Sequence, residues 1–196
     1  LVGRSTLLDG AGHRRRRSTC SLIHGAARRP TRHGRAGRSP RARVREPPSR
    51  ARSGRRGAAR PVALINATAS HTVEFDGIFA PAIYHPGSPT IAAALALAET
   101  RGASGLAFLK AVIAGYEIST RIGIALGRPH YRFWHNTGTV GTFGAATAAG
   151  LLAGLDANQM RHALAIAATM AAGLQQAFRG DTQTKPLHAG HAADAG

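Results

Sequence analysis

Apolar residues beyond residue 60 recur every three or four positions, the spacing that places them on one face of an α-helix. Alternation of apolar and polar residues, which marks a half-buried strand, is absent there over any useful length. Helices are predicted at residues 59–73, 88–102, 104–127, 136–153 and 156–178. We therefore expect an all-α helical bundle, and its many Ala and Gly residues imply that the helix axes lie close together.

Capping residues mark the ends of these predicted helices. Ser88 and Ser104 are expected N-caps, and Gly102 lies where a left-handed stop is expected. Asp156 and Gln159 have the spacing of a capping box at the start of the fifth helix. These signals divide the second part of the chain into short, well-bounded helices.

The third helix is predicted to be amphipathic, with one solvated face and one buried face. Its polar stripe contains Lys110, Glu117, Arg121 and Arg128. The face expected to meet the core contains Leu109, Val112, Ile113 and Tyr116. Glu117 and Arg121 are spaced to form an ion pair across one helical turn.

The segment FWHNTGTVGTFGAATAAG contains Gly138, Gly141 and Gly144, each three residues after the last. A dinucleotide-binding loop requires G-x-G-x-x-G after a strand, and neither that spacing nor a strand is present. We expect these glycines to admit a neighbouring helix instead. Residues 136–155 are uncharged and long enough to span a membrane, but their Gly, Ala and Thr content favours a buried, soluble helix.

Charge divides the chain at about residue 60. Residues 1–60 contain 18 of the 26 Lys and Arg residues, all of them Arg, and two of the nine Asp and Glu residues. Such an Arg-rich, low-complexity segment cannot bury enough apolar surface to fold and is expected to be disordered. Two alternatives stay open: a GC-rich coding sequence translated out of frame, or a basic arm that binds nucleic acid or another polyanion. Residues 61–196 form the predicted helical domain.

Cys20 is the only cysteine in the chain. The chain therefore contains no disulfide framework of its own and no cysteine-ligated metal or iron–sulfur centre. This agrees with a reducing, cytoplasmic location. The N-terminus lacks the continuous apolar stretch of a signal peptide.

Two histidines are candidates for chemistry. His135 precedes Asn136, a predicted N-cap, so His135 is expected near the positive end of the fourth helix, where a carboxylate would be favoured. A structural histidine is the alternative. Glu74 and Asp76 lead into a loop that ends at His85, a set that could bind a metal or perform acid/base chemistry, or simply form a solvated turn.

The last segment, RGDTQTKPLHAGHAADAG, adds Lys185, which is expected in a polar turn between helices. A lysine there could hold a substrate carboxylate or be a solvated loop residue. His188 and His191 are three residues apart and could form a metal pair, although no third ligand is in evident register. No metal site is therefore predicted.

These segments together resemble the MmgE/PrpD family, which includes 2-methylcitrate dehydratases and cis-aconitate decarboxylases. The resemblance is ordered from about Val62 to Gly196 and rests on INATASHTVEFDG, YHPGSPTIAAALALAE, GASGLAFLKAVIAGYEISTRIG, FWHNTGTVGTFGAATAAGLLAGLDANQM and TKPLHAGHAA. It implies a cofactor-independent lyase for small di- or tricarboxylates, commonly a homodimer, with a large helical domain and a smaller α+β domain. The site residues it implies are Glu74 (where many members have Asp), His85, His135 and Lys185.

In the chemistry that the resemblance implies, a base removes a proton next to a carboxylate and an acid protonates the departing hydroxyl. Which residue is the base stays open. Many members read D-F-D-D-T-H where this chain has EFDGIF, so Gly77, Ile78 and Phe79 depart from the family pattern. Family members also continue well beyond the equivalent of Gly196, so we expect a fragment that is inactive by itself.

Overall fold

The computed structural model describes residues 49–51 and 54–196; predictions for residues 1–48 and for residues 52 and 53 lie outside the described residues. The described residues contain six helices, which confirms the all-α prediction. The helices are α1 (Ala59–Thr72), α2 (Gly87–Arg101), α3 (Gly105–Tyr131), α4 (Asn136–Ala153), α5 (Ala157–Met170) and α6 (Thr184–Ala195). None of the described helices is long and apolar enough to cross a membrane.

A short antiparallel hairpin, which the sequence did not predict, precedes α1. Strand β1 (Ser49–Arg50) pairs with β2 (Arg56–Gly57), and the backbone amide of Arg50 donates to the carboxylate of Glu99 on α2. Ser49, in β1, and Ala51, directly after it, are both buried. The expected division at residue 60 thus falls inside α1, and the separation into a segment 1–60 and a helical domain 61–196 stays a prediction.

Helix α4 lies at the centre of the bundle and packs against α2, α3, α5 and α6. Helix α2 approaches α4 closely because the α4 residues that face it are glycines without a side chain. A Cβ atom at Gly141 would lie 2.7 Å from Pro89, and one at Gly144 would lie 2.5 Å from the hydroxyl of Thr90. All three glycines of the segment lie inside the helix. This confirms the packing interpretation and removes the phosphate-loop alternative.

Most of the predicted helix ends are confirmed, and three predictions are wrong: the N-caps of α2 and α4, and the end of α5, which lies at Met170 and not at residue 178. Ser104 caps α3, and the reciprocal capping box at the start of α5 forms as predicted. Ser88 is not a cap, because α2 begins at Gly87 and the Ser88 hydroxyl donates instead to Asp76, 2.7 Å away. His135, and not Asn136, is the N-cap residue of α4; the Asn136 amide donates to the backbone carbonyl of Ala82.

The predicted core face of α3 is wrong in part. Leu109 and Ile113 are 55% and 66% exposed, whereas Val112 and Tyr116 are partly buried. The buried stripe of α3 consists of small residues: Ala111, Gly115, Ser119 and Gly123. The reason is the short distance to α4, which leaves no room for large side chains between the two helices.

Replacing Gly115 with alanine is expected to lower the free energy of unfolding by about 1–3 kcal/mol, the usual cost of overpacking. The new Cβ atom would lie 2.7 Å from the backbone oxygen of Gly144 and 2.5 Å from the methyl group of Thr90. Denaturant unfolding monitored by circular dichroism measures the change. The matched control is Gly105→Ala in the same helix, where the added Cβ atom would meet no atom of another described segment within 4 Å and stability should hold or rise. Equal losses in the two variants would contradict the close approach of α3 and α4.

Candidate active site

The four predicted site residues lie in one region, where the end of α1, the loop before α2, the start of α4 and the start of α6 meet. The carboxylate of Glu74 forms an ion pair with the ammonium of Lys185. That ammonium lies 5.4 Å from the centre of the Phe178 ring, which packs edge-on against His135 at 4.8 Å. The ring of a further histidine, His71, packs against the rings of both His85 and His135, with centre-to-centre distances of 5.0 and 5.9 Å.

His135 is buried at the start of α4, with 2% of its surface exposed. Its backbone amide donates to the carbonyl of Gly173, 2.9 Å away, and this bond fixes the entry into the helix. Burial, followed by the charges of neighbouring histidines and Lys185, lowers the pKa of His135 to about 3. The imidazole of His135 is therefore neutral at physiological pH.

His188 on α6 is the direct partner of His135. Their Nδ1 atoms lie 3.0 Å apart, and burial together with the charges of His191 and His71 also lowers the pKa of His188. Between two neutral rings, one Nδ1 must donate and the other accept. His191, which the sequence spacing offered as a second member of a metal pair, is engaged elsewhere, because its Nε2 donates to the backbone carbonyl of Met170, 3.2 Å away.

Lys185 is the cation of the region, and its predicted location in a turn is wrong. It is the second residue of α6, and the next residue is Pro186. A proline is tolerated there because the amides in the first turn of a helix have no acceptor within the helix, so the missing N–H of proline removes no helical hydrogen bond. The Lys185 side chain is 23% exposed and that of Glu74 is 50% exposed. Glu74 adopts a left-handed backbone conformation with φ of +56°, which turns the chain back after α1. Lys185 is thus positioned to exchange its internal carboxylate partner for one from solution.

A second group of polar side chains, which sequence reasoning did not assemble, surrounds Asp76. The Nδ1 atom of His71 lies 2.8 Å from Oδ2 of Asp76, and the Ser88 hydroxyl donates to the same oxygen. His85 approaches Oδ1 of Asp76 at 3.5 Å. Burial favours the protonated carboxyl, but the hydrogen bonds from His71 and Ser88 and the charges of both histidines outweigh it and lower the pKa of Asp76 to about 2.

His71 was missed because it resembles any polar residue in the last turn of a helix, although it is fully buried. Asp76 was grouped with Glu74 and His85 as a set that could bind a metal or perform acid/base chemistry, but its contacts with His71 and Ser88 were not predicted. These contacts join residues five and twelve positions apart, so no local signal in the sequence indicates them.

Three side chains of this second group, His71, Asp76 and His85, place potential ligand atoms within 4.8 Å of one another. They are the residues in the described part of the chain that could hold a metal ion. Hydrogen bonds already account for their arrangement, since His71 and Ser88 both donate to Oδ2 of Asp76. A site without metal therefore stays a prediction.

Comparison with known proteins gives one family and three relatives. Residues 18–196 match the MmgE/PrpD N-terminal domain, so the match includes much of the Arg-rich segment. The chain is 38% identical over 142 residues to cis-aconitate decarboxylase of Homo sapiens and 34% identical over 146 residues to that of Mus musculus. Each alignment covers 68% of this chain and 28% of the relative.

A third relative is the cis-aconitate decarboxylase-like protein oryM of Aspergillus oryzae, 33% identical over 124 residues, which cover 59% of this chain and 26% of that protein. The chain thus spans little more than a quarter of the length of the curated relatives it matches. The match to the family extends over most of the chain and includes every residue of the site described above. This chain therefore belongs to the MmgE/PrpD family.

Proposed function

We propose that this chain supplies part of the active site of a cofactor-independent lyase that acts on small di- or tricarboxylates. The observation that carries the proposal is that the partly exposed cation Lys185 and the buried neutral His135, itself bonded to His188, lie against the same ring of Phe178. A cation binds and orients a carboxylate, and a neutral imidazole can accept or donate a proton at physiological pH. Glu74, His85, His135 and Lys185 are the proposed site residues.

In this proposal a substrate carboxylate replaces or joins Glu74 as the partner of Lys185. The cation then lies next to the carbon at which negative charge develops, and it stabilises that charge. In a dehydration, a base takes the proton next to the carboxylate and an acid protonates the departing hydroxyl. In a decarboxylation, the electron pair of the broken C–C bond stays on carbon and is then protonated.

Both reactions require the same cation and proton carriers, so the chemistry of the site accommodates either one. The names of the three relatives favour decarboxylation of a cis-aconitate-like tricarboxylate over dehydration of a 2-methylcitrate-like hydroxy acid. We further propose that the chain by itself binds such a carboxylate without turning it over. Glu74 is half exposed, so water reaches the rim of a site in which charge development needs a dry surrounding.

We also propose a homodimer located in the cytoplasm. The homodimer is supported by the large apolar side chains that α3 exposes, among them Leu106, Leu109 and Ile113.

Calorimetric titration of the purified chain with cis-aconitate tests the proposed function. We expect saturable binding to a single site and no release of CO2 during prolonged incubation, with 2-methylcitrate tested for loss of water in parallel. Acetate is the matched control, because it has one carboxylate and lacks the remainder of the tricarboxylate. Equal affinities for acetate and cis-aconitate would indicate a non-specific anion site and would contradict the proposal.

A further inference from the structure

Asp76 lies between two histidines and contacts both. Its side-chain oxygen Oδ2 is 2.8 Å from Nδ1 of His71, and its Oδ1 is 3.5 Å from Nδ1 of His85. The Ser88 hydroxyl donates to Oδ2 and holds the carboxylate from the α2 side. Hydrogen bonds from His71 and Ser88 therefore fix Oδ2, whereas Oδ1 lies near His85 but has no hydrogen-bond partner among the described residues.

The contacts of His85 determine which of its nitrogens carries the proton. Nδ1 of His85 lies 3.2 Å from the backbone carbonyl oxygen of Asp76 and close to the carboxylate of the same residue. Both kinds of oxygen accept hydrogen bonds and neither donates one when the carboxyl group is ionised. Nδ1 must therefore be the donor, so in the neutral ring the lone pair is on Nε2.

The same reasoning applies to His71. Its Nδ1 donates to the Asp76 carboxylate, and its buried Nε2 has no hydrogen-bond partner within the described part of the chain. The His71 ring lies between the two candidate catalytic histidines, 5.0 Å from His85 and 5.9 Å from His135 between ring centres. A rotation of the His71 ring would thus displace both neighbours.

We propose, on the basis of the function proposed above, that Asp76 is a positioning residue that holds His85 and His71 as Nδ1–H tautomers, so that Nε2 of His85 is the base of the site. Asp76 acts on the rings and does not touch substrate: its carboxylate accepts from Nδ1 of His71, and its backbone carbonyl accepts from Nδ1 of His85. Each Nδ1 is thereby fixed as the donor, which leaves the opposite nitrogen free to accept.

The proton balance is simple. In the forward direction of a dehydration, the C–H bond next to the substrate carboxylate breaks, its electron pair forms the new C=C bond, and the hydroxyl leaves as water with a proton from the acid of the site. The C–H proton moves to Nε2 of His85, which becomes an imidazolium whose Nδ1–H faces the backbone carbonyl and the carboxylate of Asp76. In a decarboxylation no proton is abstracted: the bond to the departing CO2 breaks, its electron pair stays on carbon, and His85 delivers to that carbon a proton that Nε2 has first taken from water. The negative charge of Asp76 stabilises the charged ring in both cases.

The tautomers are measured on the whole chain without any substrate. Two-bond ¹H–¹⁵N correlation spectra of the labelled protein at about pH 8, where histidines are mostly neutral, show which ring nitrogen of each histidine carries hydrogen. We expect His85 and His71 with protonated Nδ1 and unprotonated Nε2. An Nε2–H form of His85 in the wild-type chain would overturn the proposal without any variant.

Asp76→Ala is the variant that separates positioning from a merely structural role. It removes the carboxylate that accepts from Nδ1 of His71, so His71 is expected to show a mixture of both neutral forms. His85 keeps the backbone carbonyl of residue 76 as its acceptor and should stay in the Nδ1–H form. Asp194→Ala is the matched control, because Asp194 pairs with Arg60 near the end of α6. An unchanged His71 in Asp76→Ala, or the same change in Asp194→Ala, would overturn the proposal.

Addition of EDTA to the wild-type chain tests the alternative that the three side chains hold a metal ion. If the histidine signals shift when EDTA is added, a metal ion holds these side chains together in place of the hydrogen bonds, and the proposal is overturned. Because substrate is absent throughout, the result is independent of carboxylate binding. Failure to bind cis-aconitate with these tautomers intact would contradict the proposed function alone.

Discussion

Replacing Lys185 with glutamine is expected to weaken the binding of cis-aconitate by about 10- to 100-fold, equivalent to about 1.4–2.8 kcal/mol. The glutamine side chain is close to lysine in reach but has no charge, so it loses the charge-assisted hydrogen bond to a substrate carboxylate. Lys185 is three-quarters buried, which limits the screening of that charge by water. Isothermal titration calorimetry at constant ionic strength measures the change.

The control is unusually well matched, because the chain contains only two lysines. Lys110 is exposed on α3 and belongs to the polar stripe of that helix, so Lys110→Gln should leave the affinity unchanged. Glu74→Gln removes the carboxylate that competes for Lys185 and should hold or increase the affinity. A loss of the same size in Lys110→Gln would show that binding depends on net charge and not on Lys185.

Local signals in the sequence were sufficient for most helix boundaries. Ser104, Asp156 and Gly102 act within one turn of their own helices, so the sequence around them contains the whole cause. Ser88 fits the same pattern but is not a cap, because Asp76 takes its hydroxyl as a donor. A contact between residues twelve positions apart decides the outcome, and no capping rule includes it.

The buried face of α3 could not be predicted by ranking residues by hydrophobicity. Hydrophobic periodicity assigns Leu109 and Ile113 to the core, and this assignment assumes that the neighbouring helix lies at an ordinary distance. Gly115 and Gly144 bring α3 and α4 too close for large side chains, so the small residues are buried instead. The abundance of Ala and Gly indicated close packing, but it did not indicate which face would pack.

The four residues that the family resemblance proposes for the site, Glu74, His85, His135 and Lys185, come from separate segments and lie together in the structure. Their roles stay a proposal, and the neighbours that surround them were predicted only in part. The group around Asp76 depends on the left-handed turn at Glu74, which returns the chain towards His71. Non-glycine residues seldom adopt that conformation, so no local rule would have predicted the turn.

The pH dependence of stability is expected to reveal the buried neutral state of His135. Its pKa is lowered from 6.5 to about 3 in the folded chain, first by burial and then by neighbouring charges. Between these two values the unfolded chain binds a proton that the folded chain does not, so the free energy of unfolding decreases as the pH falls. From pH 7 to pH 4.5 we expect His135 to account for a loss of about 2–3 kcal/mol.

Denaturant unfolding of the wild-type chain and of His135→Gln at several pH values from 7 to 4.5 measures this contribution. The variant has no ionisable group at residue 135, so its stability should decrease less over the same interval, whatever its stability at pH 7. Some dependence should persist, because the pKa of His188 is also lowered by burial. Asp76 contributes in a separate window, between its ordinary value of 3.8 and about 2, and therefore does not disturb the comparison.

His162→Gln is the matched control, because His162 is exposed on α5 and its replacement should leave the wild-type slope unchanged. Parallel curves for the wild-type chain and His135→Gln would mean that His135 takes up its proton equally in the folded and unfolded states. The ring would then be accessible to water, and a buried neutral proton carrier could not be the basis of the site. A smaller slope in His135→Gln alone would instead assign the acid sensitivity of the fold to the residue proposed to handle the proton in the reaction.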